Sequence, residues 1–212
     1  MNQIKFGNYR SYDDLNLLCV SKVIGSPAAK TSTVEIDGGD GVLDYTEYFG
    51  DVKYNNRQLS FSFESLVPQS QFPALYSAIL DALQGKKVQI VLDEDSEYYY
   101  CGRLSVSDFT NDRGIASISI ECDCDPYKYK QNKTVVSESV NGSATIILEN
   151  MRKRAVPTIT SDAVLTFEFG GRTVQHNAGT FVIPTLELVE GSNTVTVAGI
   201  GNVTFTYQEG RL

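Results

Sequence analysis

The chain has 212 residues, of which 42 % are hydrophobic, and no apolar run near the 18 residues that a membrane-spanning helix needs. Its 18 Lys and Arg stand against 26 Asp and Glu, an acidic balance that argues against a grip on nucleic acid, which takes basic stripes facing phosphate. Four cysteines in so long a chain are no disulfide framework and read as thiols.

The first 36 residues read as short strands around a turn at Gly25-Ser26-Pro27, and the N-terminus shows no basic start followed by an apolar stretch. The run Gly38-Gly39-Asp40-Gly41-Val42-Leu43-Asp44-Tyr45-Thr46-Glu47-Tyr48-Phe49-Gly50 follows. Its glycines permit positive φ and tight turning, so a hairpin arm projecting from a sheet is predicted. Arg57 then opens a strand in which Leu59, Phe61 and Phe63 alternate with Ser60, Ser62 and Glu64, the pattern of a sheet with one buried face.

Phe72, Leu75, Tyr76, Ile79, Leu80 and Leu83 recur at helical spacing, with Pro73 in a first turn and Gly85 as a stop. This predicts an amphipathic helix over about 71–84. Strands follow at about 87–93, 97–106 and 115–124, separated by turns at 93–96 and 110–114. Ala116, Ile118, Ile120, Cys122 and Cys124 share one face of the last strand.

A boundary is expected at about 129–143, where the text turns polar, giving domains 1–131 and 132–212. Residues 1–131 carry 12 basic and 19 acidic residues, a net of −7, whereas 132–212 carry 6 and 7, a net of −1. Strands predicted at 144–149, 156–160, 163–169, 172–175, 180–184, 193–198 and 202–207 read as a β-sandwich.

No catalytic set emerges. His176 is the sole histidine, so a Ser or Cys nucleophile has no other base in the usual role. Cys122-x-Cys124 lies on a core face without the second pair of a zinc site, the acidic run 37–41 lacks the spacing of a calcium loop, and the run 93–97 lies at a predicted hairpin tip. Gly199-Ile200-Gly201 leads to a strand and cannot seat a phosphate at a helix start. Met151-Arg152-Lys153-Arg154 is the one basic run and reads as a solvated turn. No cofactor or metal is expected. Tyrosines crowd the first domain, and Tyr45 and Tyr48 suit a surface buried on assembly.

The Gly-rich arm, the helix, the strand ending Cys122-Asp123-Cys124-Asp125-Pro126-Tyr127 and the later Gly191-Ser192-Asn193, in this order, resemble the distal tail protein (Dit) family of tailed bacteriophages. Many members carry large insertions that this chain lacks. The resemblance implies a mainly β fold: an N-terminal β-sandwich or split-barrel-like domain with one helix and a projecting arm, plus a C-terminal galectin-like β-sandwich. It implies a non-enzymatic hub of the tail tip or baseplate at the distal end of a virion tail, assembled in the bacterial host cytoplasm. Its N-terminal domains would form a hexameric ring whose channel passes DNA. Implied partners are further copies of the chain, the tail tube protein and tail-tip proteins, with a receptor-binding or tape-measure protein beyond them. No specific nucleic-acid binding or membrane insertion is expected. Tyr45, Tyr48, Phe49 and Arg57 are the candidate interface residues. The alternative is a carbohydrate-binding or adhesin module using the C-terminal sandwich, but sugar platforms favour exposed aromatics, and residues 132–212 hold no Trp and a single Tyr, Tyr207, on a core-like face.

Overall fold

A computed structural model describes residues 3–107, 109–112 and 115–212. The chain divides into two compact units, Met1–Pro126 and Tyr127–Leu212.

The first unit is built on strands β1 (Ile4–Phe6), β2 (Tyr9–Arg10), β3 (Leu17–Ile24), β6 (Arg57–Ser65), β7 (Lys87–Leu92), β8 (Tyr98–Val106) and β10 (Ile115–Cys124), arranged β2-β1-β7-β8-β10-β6-β3. A short β9 (Thr110–Asp112) pairs with β10; the rest of the turn expected at 110–114, Arg113 and Gly114, lies outside the described residues. Alternation decides the inner face. Leu59, Phe61 and Phe63 of β6 and Ile118, Ile120, Cys122 and Cys124 of β10 are buried together, as their period of two requires. Phe6 on β1 meets Phe61 and Phe63 edge-on at centroid distances of 5.6 and 6.1 Å. Those strands are far apart in the sheet order, so the sheet curls until its two ends share one core.

Helix α1 (Phe72–Leu83) places Phe72, Ile79 and Leu83 in the interior, while Leu75, Tyr76 and Leu80 pack half-buried against the core. Its end is held by the side chain of Lys86, whose Nζ donates to the Asp81 carbonyl at 2.7 Å, a cation at the negative end of the helix dipole.

Between β3 and β6 stand β4 (Thr33–Glu35) and β5 (Val42–Asp44), which pair only with each other.

The second unit contains β11 (Lys128–Lys130), β12 (Thr134–Asn150), β13 (Thr158–Ser161), β14 (Leu165–Phe169), β15 (Arg172–His176), β16 (Gly179–Val182), β17 (Gly191–Tyr207) and β18 (Gly210–Arg211). The polar stretch 129–143 is largely strand, and the pair of strands expected at 193–198 and 202–207 is one strand. β12 and β17 run antiparallel in unbroken register from Thr134↔Tyr207 to Asn150↔Gly191. On the other side of β17, β14 borders residues 196–198 and β13 borders residues 203–206. The ribbon is therefore shared by two half-sheets. Phe167 of β14 meets Phe205 and Phe181 of the other half at 6.3 and 5.7 Å, so the halves face each other as a sandwich.

Glycine makes this corner possible. Val195, Val197, Val203 and Phe205 point inward on odd positions, and the same parity brings Gly199 and Gly201 against the connection between β13 and β14. A Cβ at Gly201 would stand 2.6 Å from Ala163 Cβ and Asp162 Oδ1. Gly201→Ala is expected to destabilise the second unit by about 2 kcal/mol or more through this overlap, measured by chemical unfolding. Because the second unit has its own core of fifteen buried residues, a fragment of residues 127–212 is expected to fold alone, with β-type circular dichroism and one cooperative thermal transition.

Candidate assembly interface

The arm starts where Gly25 N–H donates to the Gln58 carbonyl at 2.9 Å. Its two legs are joined by Lys30 N–H to Lys53 O at 2.7 Å and Asn55 N–H to Ala28 O at 2.8 Å, with an Ala29↔Tyr54 bridge. Farther out, β4 and β5 pair from Thr33↔Asp44 to Glu35↔Val42. The connection turns through Gly38 and Gly41, whose φ values are +77° and +74°, a region closed to most side chains.

After β5 the chain folds back on itself. Tyr45 N–H donates to Ser32 O and Tyr48 N–H to Tyr45 O, at 2.8 and 3.0 Å. The Asp44 carboxylate accepts from Thr46 N–H at 2.8 Å. Hydrogen bonding from the Thr46 hydroxyl and N–H holds its pKa below the usual carboxylate range. Tyr45, Tyr48 and Phe49 stack edge-to-face in sequence, at 6.1 and 4.9 Å. A cleft beside them is lined by Asp44, Tyr45, Thr46, Glu47 and Tyr48 together with Ala29, Thr31 and Val52.

This cluster is solvent-facing: Tyr48 is 73 % and Phe49 94 % exposed. Val34, Ile36, Val42 and Leu43 are exposed on the same hairpin. These four aliphatic residues were not among the sequence candidates. Their signal was available, since both legs of a short strand pair carry exposed apolar residues, with Val34 directly opposite Leu43.

Arg57 is set apart from the other three candidates. It is 5 % exposed, opposite Cys124 in the β6–β10 register, with its guanidinium 5.4 Å from the Tyr100 ring centroid. It caps the core at the root of the arm.

The other chemistry-bearing residues are absorbed by structure. Cys122 and Cys124 lie buried with their sulfurs 3.2 Å apart, and the hydrogen bond between them, together with burial, pushes the Cys124 thiol up. Among the described residues no group of three or more His, Cys, Asp and Glu converges as metal ligands do. His176 stacks face-on over Phe181 at 3.5 Å. In the basic run, Arg152 and Arg154 pair with Glu190 and Glu187, and Lys153 lies over the Tyr129 ring at 5.2 Å. Tyr98 and Tyr100 point inward while Tyr99 is half-buried on the opposite face.

In the second unit Tyr207 is 3 % exposed and donates its hydroxyl to the Glu149 carbonyl. The outer face of β12, β17 and β13 continues through β16 as a row of hydroxyls, Ser137, Thr204, Thr160 and Thr180. Neither arrangement makes an aromatic sugar platform.

No protein-family model and no curated protein matches the sequence. Among solved structures, the chain is similar to the crystal structure of the Dit (gp 19.1) protein of phage SPP1, described as a paradigm of the hub adsorption apparatus in phages that infect Gram-positive bacteria. The TM-score is 0.74 at 16 % identity, over 100 % of both chains. The chain has the Dit fold. Its mainly β architecture, with one α-helix among the described residues, is that expected from the sequence.

Burial raises the Tyr207 pKa from 10.0 to about 12, with the charges of Glu209 and Glu149 adding to the effect. A pKa raised in the folded state favours folding fully below the unfolded value, and that contribution is lost as pH rises through the folded one. Between about pH 10 and 12 the wild type is therefore expected to lose stability more steeply than Tyr207→Phe. At pH 7 the variant should be less stable by about 1 kcal/mol for the lost hydrogen bond. Urea titrations at pH 7 and across about pH 10 to 12 check both statements.

Proposed function

We propose that the protein is a structural hub of a phage tail tip or baseplate. Its N-terminal units close into a hexameric ring around a channel that joins the tail tube to tip proteins and lets DNA pass. The observation that carries this reading is the likeness to SPP1 Dit across the full length of both chains. The arm supports it independently, because it presents Tyr48 and Phe49 largely to solvent, with Tyr45 partly exposed beside them.

In this reading the mechanism is assembly, with no bond made or broken. Each arm lies on a neighbour and buries its aromatic and aliphatic side chains there. Arg57 anchors the arm from inside and is not part of the contact surface. The location in the virion is the distal tail, and the partners are other copies, tube protein and tip proteins.

Light scattering tests the ring. The wild type is expected to reach the mass of six 23.3 kDa chains as concentration rises, and Tyr48→Ser/Phe49→Ser is expected to stay monomeric. Because both residues are solvent-facing, the variant should keep the wild-type unfolding midpoint to within about 0.5 kcal/mol. A double variant that assembles normally removes the aromatic cluster from the interface.

The channel reading makes a separate statement about DNA. Residues 1–131 carry a net charge of −7, and six copies repel phosphate over a screening length of about 8 Å in physiological salt. No measurable affinity for duplex DNA is expected in a low-salt anisotropy titration, where electrostatic binding is strongest. Salt-sensitive binding overturns the passive conduit.

A further inference from the structure

Open sheets have edges, and the second unit keeps two of its edges short. β15 and β16 end their half-sheets with five and four residues. β12 borders both halves on the other side with 17 residues, and among the described residues it pairs with β17 alone. In an antiparallel pair every second residue turns its N–H and C=O away from its partner. β12 therefore presents a long row of backbone donors and acceptors along one side.

Exposed edges are ordinarily blunted by proline, by lysine, by a bulge or by a charge that points inward. β12 contains no proline and no cation, and its register with β17 shows no shift. Gly142, at φ +93°, marks its middle. Before the glycine, Glu138 is exposed on the parity of Val136 and Val140, a charge at the inner rim that guards residues 134–141. After it, Ser143-Ala144-Thr145-Ile146-Ile147-Leu148 carries no charge and is rich in β-branched residues. Ile146 and Leu148 are buried, while Ile147 stands on the outer face at 58 % exposure. This half of the edge has none of the usual guards.

The far end of that half is basic. The segments 128–130, 149–154, 187–190 and 209–211 together hold six cations and four carboxylates, in a chain whose overall charge is −8. Arg152 and Arg211 line one cleft there with Asn150 and Glu190. The ion pairs of Arg152 with Glu190 and Arg154 with Glu187 leave all four side chains at least 36 % exposed, and pairs so wet hold little energy against a competing carboxylate.

We infer that residues 143–149 of β12 form a strand-addition site, which takes an extended segment of a different protein running antiparallel to it. The chemistry of the edge sets that of the segment. It is uncharged over about six residues with an apolar side chain beside Ile147, and it carries carboxylates just before its strand begins, where antiparallel pairing brings its N-terminal flank to Arg152 and Arg154. Backbone hydrogen bonds supply affinity, and the apolar contact and the acidic flank supply choice. A second β12 is a poorer occupant, since pairing about a two-fold axis brings Asn141 and Gly142 to that end and no carboxylate. The site uses the second unit alone, so it goes beyond the ring reading and does not rest on it.

The probe is an acetylated peptide of two aspartates followed by three threonine–valine repeats, labelled at its C-terminus and titrated into the full-length chain by fluorescence anisotropy. It is expected to bind with a Kd of about 100 µM or tighter, and lysines in place of its aspartates should weaken binding at least about tenfold. N-methylation of one alternate set of its strand amides should abolish binding, and methylation of the other set should leave it within about threefold, because only one edge of the peptide meets β12. Ile147→Lys, which supplies a guard of the usual kind, is expected to weaken binding at least about tenfold with an unchanged unfolding midpoint. Hydrogen exchange locates the contact, with new amide protection expected within residues 143–149. No binding at about 1 mM peptide, equal loss from both methylated sets, or protection confined to residues outside 143–154 overturns the site. Protection of 143–149 that grows with chain concentration in the absence of peptide gives the edge to a second copy and overturns the proposal. The mass by light scattering reports on the ring separately, and a chain that binds the peptide as a monomer leaves the strand-addition site standing.

Discussion

Between Ala28 and Asn56 the chain buries no side chain of its own, and the rest of the functional reading depends on this. Two short strands joined by a loop are marginal in water, because they cannot remove enough apolar surface to offset the entropy of ordering them. Here Val34, Ile36, Val42, Leu43, Tyr48 and Phe49 all face solvent. Its own packing therefore gives the hairpin little stability. The curled sheet behind it does not share this weakness, since Phe6, Phe61 and Phe63 close its core without the arm. Folding of the unit and ordering of its arm are separable events with separate energetics.

The parts of the fold legible in the sequence are those with clean periodicity. Leu59, Phe61 and Phe63, the 115–124 strand and the helix of Leu75, Ile79 and Leu83 were readable because burial on one face leaves a period of two or of nearly four in the text. The aromatic run at 45–49 was readable as a surface feature for another reason, the apolar body and polar tip of its tyrosines. The long ribbon of the second unit was not. Gly199 and Gly201 look like a break between two strands, yet the ladder runs through them, and the glycines serve close approach by Ala163 and Asp162. Only tertiary contact distinguishes the two cases. Arg57 misled in another way. The resemblance gave it as an interface candidate, but it shares the parity of Leu59, Phe61 and Phe63 and is buried with them.

The basic run at 151–154 shows how local pairing can absorb a conspicuous motif. Asn150 donates its side-chain amide to the carbonyls of Lys153, Leu188 and Val189, and Ala155 bridges Leu188. These bonds hold the 150–155 segment beside 187–190, where Arg152 and Arg154 find Glu190 and Glu187. The motif is half of a strap that joins the end of β12 to the approach to β17, and the other half is acidic.

The ribbon also sets a timetable for synthesis. Thr134 must wait for Tyr207, and Asn150 for Gly191, so the sandwich has no central pair until nearly all of it has been translated. By then the unit ending at Pro126 has had time to fold, since domains fold as units from the N-terminus. Nascent chains on one message thus carry folded first units while their second units are still incomplete.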